Sequence, residues 1–144
     1  MQDKKIILIG DSPAIYICAI YLHTANISPL IIKKNMNLDY LCSFVPGVEG
    51  GKEEYNQKCY EQAKHMGITI SECSTVTVTE FDNKFTVKYD ENTIEGDIVV
   101  SDTSLDLKLN DNVFIIDDLL LEREAIVVAG TGCTIAFEIK ELLE

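Results

Sequence analysis

Short, unbroken apolar runs alternate along this chain with stretches whose apolar positions recur every three or four residues. Run length separates the two kinds. Lys5–Ile9 (KIILI) is continuous, of strand length and rich in β-branched residues, the pattern of a strand buried on both faces. Ala14, Ile17, Cys18, Tyr21, Leu22 and Ala25 then repeat at helical spacing behind Pro13, which the first turn of a helix tolerates. Asn26 ends that repeat, and Pro29–Ile32 (PLII) is a second short strand. Strand, helix and strand within about 30 residues predict a βαβ unit with parallel strands and a right-handed crossover.

Lys33–Gly51 has no period and contains Pro46-Gly47 and Gly50-Gly51, so it reads as a long loop. Lys52–Met66 returns to a helical repeat, with Tyr55, Cys59, Ala63 and Met66 as the inward stripe and Gly67 as its stop. Strands follow around Ile68–Ser71, Val76–Phe81 and Phe85–Tyr89, the last two joined at Asp82-Asn83 as a hairpin. Ile94 and Ile98–Ser101 extend them into a small meander that returns to the main sheet. Val113–Ile116 is another buried strand, and the chain closes on a helix. There the small residues Ala129 to Gly132 predict a close approach, and Ile135, Ala136, Ile139, Leu142 and Leu143 supply the buried face. The elements compose one α/β domain over residues 1–144.

Composition narrows the function. A hydrophobic content of 47% supports a packed core. Twelve Lys and Arg against 24 Asp and Glu give a formal charge of −12, and such a chain is repelled by a nucleic-acid backbone. The first 51 residues are balanced at four bases and four acids, so the excess lies downstream, with three bases against nine acids in residues 106–144. Extensive nucleic-acid binding is therefore not expected. Neither is a membrane span, since no apolar run approaches about 18 residues; a soluble, cytoplasmic protein is the expectation. The five cysteines are scattered and include no C-x-x-C pair, which argues against a disulfide framework and a zinc site. Asp117, Asp118, Glu122 and Glu124 cluster in sequence but read as an acidic surface loop, with no metal expected. Cys18 and Cys59 fall on inward stripes, whereas Cys133 is expected at a helix N-terminus, where the dipole favours a thiolate.

Gly10-Asp11-Ser12-Pro13-Ala14-Ile15 occupies the place of a dinucleotide-binding G-x-G-x-x-G between a strand and a helix, with only the first glycine retained. Ser12 adds a side chain where a pyrophosphate must approach, Ile15 puts a branched residue at the close-packing position, and Asp11 adds a negative charge. At the end of the second strand, where an acidic residue accepts from ribose hydroxyls, stand Lys33 and Lys34, which have donors only. Projecting near the carboxyl end of the sheet, they read either as solvated lysines or as a grip on a phosphate.

Three segments in order carry a resemblance to a known family. "IILIGDSPAIYICAIYLHTANISPLII" resembles the opening of the flavin domain of low-molecular-weight thioredoxin reductases, I-I-G-x-G-P-A-x-x-x-A-A-I-Y-L-x-R-A followed by P-L-x-I-E. "EEYNQKCYEQAKHMGITI" is similar to the helix leading into that family's G-x-x-I strand, and "NVFIIDDLLLEREAIVVAGTGCTIAFEIKELL" to its closing G-V-F-A-A-G-D-V, R-Q and A-G-x-G-x-x-A-A. The resemblance implies a three-layer, Rossmann-like FAD/NAD(P)-binding fold with a parallel sheet, a small β-meander and a C-terminal helix. Residues 1–104 and 113–144 match the two halves of the flavin domain, and 105–112 replace the NADPH domain inserted in the family. With neither that domain nor a C-x-x-C, thioredoxin reduction by the family's mechanism is excluded.

Position by position, the resemblance assigns the flavin contacts to Gly10, Ser12, Pro13, Ala14, Lys33, Asp118 and Gly130, Thr131, Gly132 and Cys133, the last four as the helix start that faces the flavin ring. Several are altered. Lys33 stands for the ribose-binding glutamate, Asp117 for the glycine before Asp118, and Glu124 for the glutamine after the retained Arg123. The G-G-Q loop is replaced by Asn35–Ser43. The expectation is a catalytically inactive pseudoenzyme, without catalytic residues or cofactor, that binds a protein or a large assembly such as a ribosome. The alternative is a residual FAD- or nucleotide-binding redox subunit that takes electrons from a partner. Because the family dimerises largely through this domain, a homodimer is also implied.

Overall fold

The structure, a computed structural model, describes residues 4–34, 40–107 and 110–144, with the side chains of Asp118 and Leu119 left outside the description. In chain order the elements are β1 (Ile6–Ile9), α1 (Pro13–Thr24), β2 (Pro29–Lys34), α2 (Lys52–His65), β3 (Thr69–Cys73), β4 (Val76–Phe81), β5 (Lys84–Tyr89), β6 (Asn92–Gly96), β7 (Ile98–Ser101), β8 (Val113–Ile115), α3 (Asp118–Leu121) and α4 (Ala125–Leu142). Five strands form a parallel sheet in the order β3-β2-β1-β7-β8, and β4-β5-β6 form a separate antiparallel meander. The fold is the expected α/β architecture, with one correction. The strand following α2 belongs to the parallel sheet, paired to β2 from Leu30↔Thr69 to Lys34↔Cys73, and is not part of the meander.

The pleat of β1 sorts its side chains between two cores. Ile6 and Leu8 pack with Ile31, Ile98 and Val100 under the helices. Ile7 and Ile9 point the other way, against Val78, Phe85 and Val87 of the meander. This two-sided burial is why KIILI has no polar alternation. The layers are therefore helices, parallel sheet and meander.

Both long helices of the first half end in the same way. In α1 the amides of Asn26 and Ile27 donate to the carbonyls of His23 and Leu22, and in α2 those of Gly67 and Ile68 donate to Lys64 and Ala63. These are Schellman closures, with Asn26 and Gly67 at positive φ. Asp82 and Asn83, with φ of 53° and 62°, make the expected hairpin between β4 and β5, a conformation suited to the strand twist.

Helix α1 departs from its expected stripe because α2 and α4 pack on two of its sides. Ile15, Tyr16 and Ala19 are fully buried as well as Ala14, Cys18 and Leu22, while Ile17 and Ala25 are half-buried and Tyr21 is 44% exposed beside Phe137. In α4, Ile135, Ala136 and Ile139 are buried as expected, but Leu143 is half-buried and Leu142 is exposed.

Candidate functional site

The carboxyl ends of β1, β2 and β7 converge on the Gly10–Ser12 turn, the place where an open α/β sheet receives ligands. An internal side chain occupies it. Asp102, immediately after β7, accepts hydrogen bonds at Oδ2 from the backbone N–H of Ser12 at 2.9 Å and of Asp11 at 3.2 Å. Register places it there, since β7 runs parallel to β1 with Ile9 opposite Ser101 and the Asp102 amide donates to the Ile9 carbonyl. Gly10 adopts φ +141°, and a Cβ at that position would lie 1.9 Å from Asp102 Oδ1. The retained glycine thus makes room for a carboxylate of the same chain. Burial pushes the Asp102 carboxyl up to about 6, against the backbone N–H groups of Asp11 and Ser12, which stabilise its charge. Asp102 Oδ1 and Ser12 Oγ, both buried, have no hydrogen-bond partner among the described residues.

A polar network fills the adjoining crevice. The Tyr16 hydroxyl donates to Asp11, whose carboxyl burial raises above its ordinary value while Tyr16 and Lys33 act the other way. Asn56 of α2 donates from Nδ2 to the Asp11 carbonyl at 2.8 Å. The Tyr40 hydroxyl, 3.1 Å from both Asn56 Oδ1 and the Lys52 carbonyl, ties the start of the following loop to α2. Lys33 lies with Nζ 4.4 Å from the centre of the Tyr60 ring and 3.3 Å from Glu72, its register partner on β3. Tyr60 in turn meets Tyr16 edge-on, with ring centres 5.8 Å apart. The carboxylate, the ammonium and the aromatic rings engage one another.

The other expected residues divide. Pro13 opens α1 and is buried. Ala14 and Gly132 meet each other: a Cβ on Gly132 would lie 2.1 Å from the Ala14 carbonyl oxygen, so this pair is the close approach between α1 and α4. Gly130 to Cys133 are not a helix start. Helix α4 begins at Ala125 with Glu124 as its N-cap, and Gly130, Thr131, Gly132 and Cys133 lie within it. Gly130 is exposed with open space around it and makes no tight turn, and the half-buried Cys133 has no helix terminus beside it. The expectation failed because Ala125–Ala129 is an apolar run that can be read as strand or helix, and helix N-terminal to the glycines won.

Asp118 begins α3, and its side chain lies outside the description, as do residues 35–39 of the expected loop. Lys34 is half-buried at the end of β2. Asp117 accepts from the Leu120 amide, while Glu124 accepts from the amide and hydroxyl of Ser43 and fastens the loop to α4. Among the described residues, no three His, Cys, Asp or Glu side chains gather as a metal site. Cys18 and Cys59 are core thiols, and burial pushes Cys59 up to about 11. The residues that sequence reasoning missed are Asp102, Asn56, Tyr16, Tyr40, Tyr60 and Glu72. Only Asp102 carried a signal, as a charged residue two positions after the apolar run Ile98–Val100.

Sheet order, meander position and strand-to-helix turn define a Rossmann-like α/β fold. Among solved structures it is similar to a thioredoxin reductase from Streptococcus pyogenes, with a TM-score of 0.57 and 21% identity over 69% of this chain and 35% of that one. A thioredoxin reductase from Gloeobacter violaceus gives 0.57 and 19%, over 68% and 33% of the two chains. An oxidoreductase from Agrobacterium tumefaciens gives 0.58 and 17%, over 69% and 36%. The chain therefore has a thioredoxin-reductase-type fold and spans about a third of the length of these structures. No protein-family model and no curated protein matches it.

Proposed function

We propose that this chain is a catalytically inactive, thioredoxin-reductase-like binding module that acts by occupying a site on another protein or a protein-rich assembly. One observation carries the reading: the backbone N–H groups of Asp11 and Ser12 in the first turn, which would face a pyrophosphate, already donate to the Asp102 carboxylate. A second anion there would meet that charge at close range, and like charges in a buried site cost several kcal/mol. Lys33, paired with Glu72 and laid on Tyr60, offers no acceptor to a ribose. The residues present do not fit FAD. The sequence also lacks the C-x-x-C that disulfide chemistry of this kind requires. A ribosome is one assembly this reading admits, through its protein faces, because a net charge of −12 repels exposed RNA.

The test is direct: incubate the full chain with excess FAD, remove free ligand, and measure flavin per chain after denaturation. The expected value is close to zero. A value near one would overturn the proposal and establish instead a flavin-binding subunit that needs an electron-donating partner.

A further inference from the structure

Strand β8 is one edge of the parallel sheet, β3 being the other. Val-Phe-Ile is only three residues long, but it contains neither the Pro nor the charged side chain that also serves to blunt a sheet edge. Backbone groups in a parallel ladder face alternate sides residue by residue. The Asn112 carbonyl accepts from Val99 and the Ile116 amide donates to Ser101, so both face β7. The Val113 carbonyl and both backbone groups of Ile115 therefore point outward, and among the described residues none bonds to them. Beside this edge runs a groove between β8 and α4. Its floor includes Phe114 and Ile135, with Leu120 towards one end and the exposed Leu142 towards the other.

Charge selects the occupant. Glu138 and Glu141 of α4 line the groove, and Asp111 and Asp117 flank the strand, all four exposed. No Lys or Arg is among the described lining residues; Lys4 stands beyond Leu142 in the next depression, together with Asp97. A second copy pairing antiparallel to β8 would set Asp111 of one chain near Asp117 of the other and bring the glutamate rows together, an unfavourable arrangement for cross-strand pairs. A basic strand meets the same carboxylates favourably.

We propose that the β8 edge and the β8–α4 groove form the docking site for an extended, basic segment of a partner protein. Its main chain adds as a sixth strand beside Ile115, its apolar residues alternate into the groove over Phe114, and its Lys or Arg side chains meet Glu138 and Glu141. This rests on the reading of the chain as a protein-binding module and names the surface and the partner's chemistry.

A random dodecapeptide display library selected on the full chain tests it. Enriched peptides are expected to alternate apolar residues with Lys or Arg. A synthesised winner should shift the amide resonances of residues 113–116 and bind Glu138→Lys/Glu141→Lys at least tenfold more weakly. Both positions are exposed, and circular dichroism and the urea midpoint check that the variant is folded. Four outcomes would overturn the proposal: no enrichment, enrichment without basic bias, affinity indifferent to the double substitution, or a homodimer whose contact maps to β8. The flavin measurement is independent. Bound FAD sinks the parent reading whatever the peptides do, whereas failed selection with no FAD sinks only this docking face.

Discussion

Asp102 is an ionisable group placed where it is least comfortable, and pH reads out the consequence. Its carboxyl is raised from an ordinary 3.8 to about 6 by burial. Between those values the folded chain holds a proton that the unfolded chain has released. Its contribution to stability is thus fully present below about pH 3.8 and is lost as pH rises through about 6. A shift of about two units corresponds to roughly 3 kcal/mol. Asp102→Asn keeps an oxygen to accept from Asp11 and Ser12 but cannot ionise. Urea unfolding at about pH 4 and about pH 7.5 should therefore show the parent losing roughly 2–3 kcal/mol more than D102N over that interval. Asp11, also raised by burial, is present in both proteins, and its charge is the smallest of the named influences on Asp102, so the difference between the two reports chiefly the Asp102 carboxyl. Equal pH slopes would show that the Asp102 carboxyl is not held in a desolvated site.

At the scale of elements, the two glycines of the A-G-T-G segment have opposite roles although they are two residues apart in one helix. Gly132 faces α1, where the backbone of Ala14 leaves no room for a methyl group. Gly132→Ala is expected to cost about 3 kcal/mol or more, because backbone rather than a flexible side chain must move. Gly130 stands in open space, so Gly130→Ala should stabilise α4 by about 0.5–1 kcal/mol through its helix propensity. Thermal unfolding of the two variants checks both signs. The sequence signals Gly132 and Gly130 alike, as small residues in a helix-period run; only the α1–α4 crossing distinguishes them. The elements themselves were largely legible, because KIILI, PLII and Ile98–Val100 carry apolar residues on both sides of the pleat and the stop signals at Asn26 and Gly67 form real Schellman closures. The start of α4 was not, since an apolar run has no period from which to choose between strand and helix.

At the scale of the molecule, charge opposes compactness. A net charge of −12 on 144 residues, with the first 51 residues balanced, concentrates repulsion in the later two thirds of the chain. Raising NaCl from about 20 mM to about 0.5 M, which shortens the screening length from roughly 20 Å to a few Å, is expected to raise the urea midpoint. An unchanged or lowered midpoint would mean that the Lys33–Glu72 and Lys84–Asp97 pairs outweigh the repulsion. The same acidic surface gives the proposed docking groove its preference for a basic segment.

By itself the sequence determined the α/β class, the βαβ opening, the hairpin at Asp82-Asn83, the missing glycines at the first turn and the lysines in place of a ribose-binding acid at the end of β2, because periodicity and residue type are local properties. Tertiary structure alone decided that Asp102 closes that turn, that Lys33 turns to Glu72 and Tyr60, and that β8 lies open beside α4. Each depends on strand order and register, which bring together residues up to about ninety positions apart, and no local pattern in the chain encodes that distance.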